Sequence, residues 1–156
     1  MSLPMGTRRG LLLAAVLLGV GVATGAEAQG ITNSRGLAFG ELVSSVTLGT
    51  AAVSPAGART LTGGVSSGNS GGVTSASFTV TGLPLFTYSI TFGGSGLLTS
   101  GSHTMTVDTF ASTPSGSGQL GLLGSQTLTV GATLHVSASQ SSGSYTGTFS
   151  VTVVYN

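Results

Sequence analysis

Along residues 143–156, large apolar groups recur at every second position. Tyr145, Phe149, Val151, Val153 and Tyr155 share one parity with Gly143 and Gly147, and Ser144, Thr146, Thr148, Ser150, Thr152 and Asn156 mostly supply the other. Side chains of an extended strand point alternately to opposite faces, so this parity predicts a half-buried β-strand at the end of the chain. The same alternation predicts earlier strands around Leu37, Phe39 and Val43, and around Val46 and Leu48, with a turn near Ser44-Ser45. Further strands are predicted around Ala76, Phe78 and Val80, around Tyr88, Ile90 and Phe92, around Met105 and Val107, and around Leu128, Val130, Leu134 and Val136. The Phe78 and Tyr88 runs read as a neighbouring pair.

Turn chemistry separates these runs. Ser54-Pro55-Ala56-Gly57 has a proline that sets one dihedral and a glycine that permits a positive one. A return strand over 58–62 then leads into a Gly/Ser loop over 63–72, Gly93-Gly94-Ser95-Gly96 reads as a hairpin turn, and 114–118 breaks the run that begins at His103. Turn signals every eight to twelve residues or so, with no helical period after residue 28, predict an all-β fold. The expected architecture is an antiparallel β-sandwich, with an up-and-down barrel as the alternative. The abundant Gly, Ser, Thr and Val are also compatible with low-complexity disorder, but the ordered alternation of apolar residues argues against it.

The amino-terminal segment follows a different rule. Arg8 and Arg9 precede an apolar run over 11–22, and Ala26-Glu27-Ala28 closes the segment. A basic start, a short apolar core and small residues two apart form a secretory signal peptide, with cleavage expected after Ala28. The apolar run is too short for the ~20 residues that cross a bilayer. Two segments are therefore expected: a signal peptide over 1–28 and a single β-sandwich domain over 29–156. Removing 28 of the 156 residues leaves 128, enough for one domain with a core.

Charge then narrows the partners. Residues 29–156 contain only Arg35, Arg59, Glu41 and Asp108 as formal charges, and no lysine. The absence of a basic stripe argues against nucleic acid or an anionic membrane as partner. A domain of near-zero charge lacks the repulsion that keeps soluble proteins apart, which points to self-association. No cysteine is present, so the fold uses no disulfide and the chain has no thiol chemistry.

Several runs together carry a family resemblance. They are Leu37-Ala38-Phe39-Gly40, Phe78-Thr79-Val80-Thr81-Gly82 followed by Tyr88-Ser89-Ile90, and Val130-Gly131-Ala132-Thr133-Leu134 continuing through Tyr145-Thr146-Gly147-Thr148-Phe149 to Val151-Thr152-Val153-Val154-Tyr155-Asn156. Over nearly all of residues 29–156 the chain resembles the bacterial domain-of-unknown-function 4402 family. Its ending, with Gly143 fourteenth from the end and Tyr155 penultimate, resembles the carboxy-terminal motif of chaperone-usher pilus subunits. That second resemblance implies an antiparallel immunoglobulin-like β-sandwich lacking one strand, and a groove beside the terminal strand. It makes Gly143, Tyr145, Gly147, Phe149, Val151, Val153 and Tyr155 the assembly strand. The implied partners are a periplasmic chaperone and usher, and then other pilus subunits or copies of the same chain. The implied location is the periplasm in transit, then the cell surface or a fimbrium.

One feature departs from that pattern. Residues 29–36 contain a single large apolar side chain, Ile31, which makes them a poor strand donor. The alternative is a self-complete monomeric sandwich that binds a surface ligand through Gly/Ser loops such as 63–72.

Enzymatic readings fare worse. His103, His135 and Asp108 provide parts of a hydrolytic triad, but no Gly-x-Ser-x-Gly elbow lies at a strand-to-helix turn, and Gly116-Ser117-Gly118 falls in an apparent loop. The alternation makes His135 a solvated strand position, and His103 a surface residue at the start of a strand. Glu41 and Asp108, the only carboxylates after residue 28, are far apart in sequence for the pair that a glycosidase needs. The two histidines and two carboxylates have no metal-ligand spacing, and no cofactor motif occurs. The expectation is a non-enzyme without metal or cofactor.

Overall fold

The computed structural model describes residues 29–156 in full, and residues 11–16 and 21–24 as paired backbone. The basic start at Arg8 and Arg9 and the Ala26-Glu27-Ala28 step lie outside the described residues. The described residues form strands and turns with no helix. In chain order the strands are β1 (Leu11–Val16), β2 (Gly21–Thr24), β3 (Gly30–Arg35), β4 (Leu37–Val53), β5 (Arg59–Ser67), β6 (Val73–Thr74), β7 (Ala76–Thr81), β8 (Thr87–Phe92), β9 (Gly96–Ser100), β10 (His103–Thr113), β11 (Ser117–Gln119), β12 (Ser125–Val136), β13 (Gly143–Gly147) and β14 (Val151–Tyr155).

They make two sheets in a curled, sandwich-like arrangement. The larger runs β3-β7-β12-β10-β9-β13-β1-β4-β5 and the smaller runs β11-β8-β14-β2. β4 also pairs with β12 through Val53 to Gly49, so the path β12-β10-β9-β13-β1-β4 returns to its start. β1 is the member that closes this ring. Pairings among the strands of residues 29–156 are antiparallel, whereas β1 and β2 run parallel to β13 and β14.

Alternation produces the core between the sheets. Phe39, Phe78, Val80, Tyr88, Leu128, Leu134, Tyr145, Val151 and Val153 are wholly buried. The burial of β7 alternates without a break, Ala76, Phe78 and Val80 inward and Ser77, Thr79 and Thr81 only partly covered. Each large apolar side chain buried in this way contributes about 1.5–3 kcal/mol.

Five local expectations are corrected. The Leu37 and Val46 runs are one strand, β4, whose register with β5 shifts between Ser44 and Gly49. The Ser45 and Thr47 hydroxyls meet at 3.1 Å and the Thr47 N–H donates to Ser45 Oγ, so these side chains tie the bulge together and Val46 and Leu48 stay exposed. β7 and β8 are not a pair, because the chain changes sheets at Gly82: β7 lies against β12 and β3, and β8 against β14 and β11. Gly93 to Gly96 likewise crosses between sheets instead of closing a hairpin, since β9 pairs with β10. Half of the 63–72 loop belongs to β5, which pairs with β4 as far as Ser67. Ser117 and Gly118 form part of β11, held to β8. Small residues conceal these strands from a hydrophobic pattern; pairing, not burial of large side chains, makes them. The turn at 54–57 stands as expected, with Gly57 at φ +86° and its N–H donating to the Ser54 carbonyl at 2.8 Å.

Candidate functional site: the terminal strand and its edge

The terminal run alternates as its parity predicts but divides between the sheets. Gly143–Gly147 joins the larger sheet, residues 148–150 cross over, and Val151–Tyr155 joins the smaller one. Tyr145, Phe149, Val151 and Val153 face the core, whereas Ser144, Thr146, Thr148, Ser150 and Val154 are exposed.

Buried polar groups along the strand find partners. The Tyr145 hydroxyl donates to the Ser141 carbonyl at 2.7 Å and accepts from Gln140 Nε2 at 2.9 Å, and the same amide also donates to the Thr104 carbonyl. Tyr155 donates to the Thr81 carbonyl at 2.7 Å, with the Gly30 carbonyl at 3.2 Å. Its hydroxyl thereby ties the last strand to β7 and to the start of β3. Burial pushes the Tyr155 hydroxyl above the ordinary tyrosine range, and burial followed by the neighbouring Tyr155 does the same for Tyr88. In the crossover Phe149 stacks on Phe110 at 5.1 Å between centroids and meets Phe78 edge-on at 6.1 Å.

Gly147 is glycine because β9 approaches it closely: a Cβ there would collide with the Leu97 carbonyl. At Gly143 the Ser100 hydroxyl occupies the corresponding space. Both glycines thus accommodate the neighbouring strand.

The far edge of the terminal strand is lined almost throughout by the amino-terminal segment. Leu12 to Val16 pair in parallel with Gly143 to Gly147, and Gly21 to Thr24 pair with Val151 to Val154. The other edge of β1 pairs antiparallel with β4, from Leu11 opposite Val43 to Val16 opposite Leu37. Sequence reasoning read 11–22 only as the core of a leader. Its lack of charge and branched apolar content were the available signal that it also fits a strand position.

The residues weighed for catalysis are partly brought together. His135 Nε2 lies 2.8 Å from Asp108 Oδ1, joined across the β10–β12 pairing, and Thr109 Oγ1 donates to the same carboxylate at 2.9 Å. Sequence spacing missed this contact because it depends on strand register, which sets Thr106 opposite His135 and Asp108 opposite Thr133. The hydrogen bond from His135, then that from Thr109, holds Asp108 below the usual carboxylate range. Among the described residues no serine hydroxyl bonds to either side chain, and His103 is exposed elsewhere on β10. Glu41 lies apart, accepting from the Ser70 hydroxyl at 2.9 Å and from the Ser70 N–H.

Replacing His135 with alanine is expected to move the Asp108 titration upward, toward ordinary carboxylate values, as followed by carboxyl NMR. A lowered pKa stabilises the fold above the unfolded-state value, and this contribution is lost as pH falls through the lowered one. Both side chains are more than 40% exposed, so the pair contributes at most about 1 kcal/mol. An unchanged Asp108 titration would show that His135 is not its partner.

Among the described residues there is no group of three or more metal-ligating side chains, and no helix long and apolar enough to cross a membrane. A cleft of about 360 Å³ opens between Ser44, Ser45, Val46 and the stretch from Ser139 to Ser142. Comparisons with curated proteins and with solved structures found no match. The family model described as "Domain of unknown function (DUF4402)" matches residues 30–155, and the chain belongs to that family.

Proposed function

We propose that the mature chain is a secreted, pilin-like structural subunit or surface protein, assembled by strand complementation along residues 143–155. The observation that carries this reading is the occupancy of that edge. The backbone of 11–16 and 21–24 lines it, and these residues belong to the segment whose sequence marks it for removal on export.

Cleavage after Ala28 leaves two backbone edges without a neighbour, one along 143–154 and one along 37–43 of β4. An uncovered apolar edge without charge pairs with whatever strand it meets, so a chaperone and then a second subunit supply the cover. Residues 30–35 are engaged in pairing with β7 at the far side of the larger sheet, which accords with their poor donor pattern. The chain therefore accepts a strand more readily than it donates one, as a terminal subunit does.

The test uses the exported, processed protein and a peptide copying residues 11–24, flanked by lysines for solubility. At about a hundred times its dissociation constant the peptide adds about 2.7 kcal/mol. That corresponds to a rise in unfolding temperature on the order of 10 °C. A processed protein that is a stable monomer indifferent to the peptide overturns the proposal. It favours instead a self-complete sandwich that binds its ligand at the surface, for which the serine-lined cleft is the better-formed place than the 63–72 loop.

A further inference from the structure

Two loops at one end of the sandwich expose apolar side chains that the core does not use. Leu83, Leu85 and Phe86 come from the β7–β8 connection; Leu122, 79% exposed, and Leu123, 94% exposed, come from the β11–β12 connection. Backbone bonds clamp the loops together: the Gly82 N–H donates to the Gly124 carbonyl and the Leu120 N–H to the Phe86 carbonyl, both at 2.9 Å. Gln119 Nε2 adds a bond to the Leu85 carbonyl at 3.0 Å. Leu85 is held at φ +63°, a conformation unfavourable for a residue with a Cβ. The tip is therefore a built surface, with no charged residue in either loop.

Its position selects an occupant. The pairing of β2 with β14 ends at Thr24 opposite Val154, and the Asn156 N–H donates to the Thr87 carbonyl, next to Phe86. Gly30 lies opposite Thr81, one residue before the first loop. A strand that runs along the terminal edge in the direction of 11–24 leaves the domain at this tip, and the remainder of the chain that supplies it begins there.

We propose that the tip formed by Leu83, Leu85, Phe86, Leu122 and Leu123 is the contact surface for the folded body of the strand-donating subunit, a partner with an apolar, uncharged face. This rests on the strand-accepting reading above. Burial of these five side chains adds an interface continuous with the ladder and selects against donors whose body presents charge next to the strand.

The experiment places a photoreactive amino acid at Val154 or at Leu123 of the full chain in the cells that export it, and identifies the adducts after irradiation. The expected result is the same protein partner from both positions. The double variant Leu122→Ser, Leu123→Ser should reduce the Val154 adduct severalfold, with the amount and protease resistance of the exported protein unchanged. A partner at Val154 with lipid, a different protein or nothing at Leu123 overturns this inference and leaves the strand-accepting reading standing, as does an undiminished adduct in the double variant. No partner at Val154 overturns that reading and this inference with it.

Discussion

Replacing Val153 with aspartate is expected to abolish recovery of folded, exported protein, and Val151→Glu should do the same. Both valines are wholly buried. They belong to β14, paired with β8 through Val153 opposite Ile90 and Val151 opposite Phe92. An unpaired charge at either place costs several kcal/mol, a large part of the about 5–15 kcal/mol that holds a domain together. The two arginines of residues 29–156 cannot move to neutralise it cheaply. Arg59 donates to the Phe39 and Glu41 carbonyls, and Arg35 to the Ser75 carbonyl. Protease resistance and yield of the exported variants provide the measurement, with Val153→Ala as the milder control. Normal export and assembly of both charged variants would remove the terminal strand from the account.

Phe149→Ala is expected to cost about 3–5 kcal/mol, because a large aromatic leaves a cavity that its surroundings only partly fill. For a domain of this size that is a fall in unfolding temperature on the order of 10–20 °C. The site magnifies the loss. Phe149 stacks on Phe110 and meets Phe78 edge-on, both in the larger sheet, and Phe110 stacks in turn on Phe92 of the smaller sheet, so the loss falls on a ring cluster that reaches both sheets where the chain crosses between them. Chemical denaturation of the purified protein measures the effect. A loss below about 1 kcal/mol would show that Phe110 closes over the space unaided.

How far the fold was legible depended on where burial and pairing agree. β7 alternates cleanly, and its strand and buried face were readable from Ala76, Phe78 and Val80. The terminal run was readable for the same reason, down to the inward position of Phe149 in a stretch that is not itself strand. What alternation does not encode is the partner. Phe78 and Tyr88 have similar parity and a short connection, yet Gly82 sends them to different sheets, with its N–H bonded to the Gly124 carbonyl. β11 carries no apolar side chain in Ser117, Gly118 and Gln119, so only the edge of β8 reveals it. The solvated positions of His103 and His135 followed from alternation, but the approach of His135 to Asp108 depends on the register of β10 against β12. The inward positions Tyr145, Phe149, Val151 and Val153 were readable from parity, whereas the second neighbour of the terminal run was hidden because a leader-like run and a core strand use the same apolar residues.

The direction of β1 and β2 has a mechanical consequence. A strand that runs alongside 143–154 and leaves at the Tyr155 end bears tension along its own length, which strains the hydrogen bonds of both ladders together. The same strand lifted sideways from that end yields one pair at a time. An assembly of the proposed kind resists stretching along that strand far better than prying from its Tyr155 end.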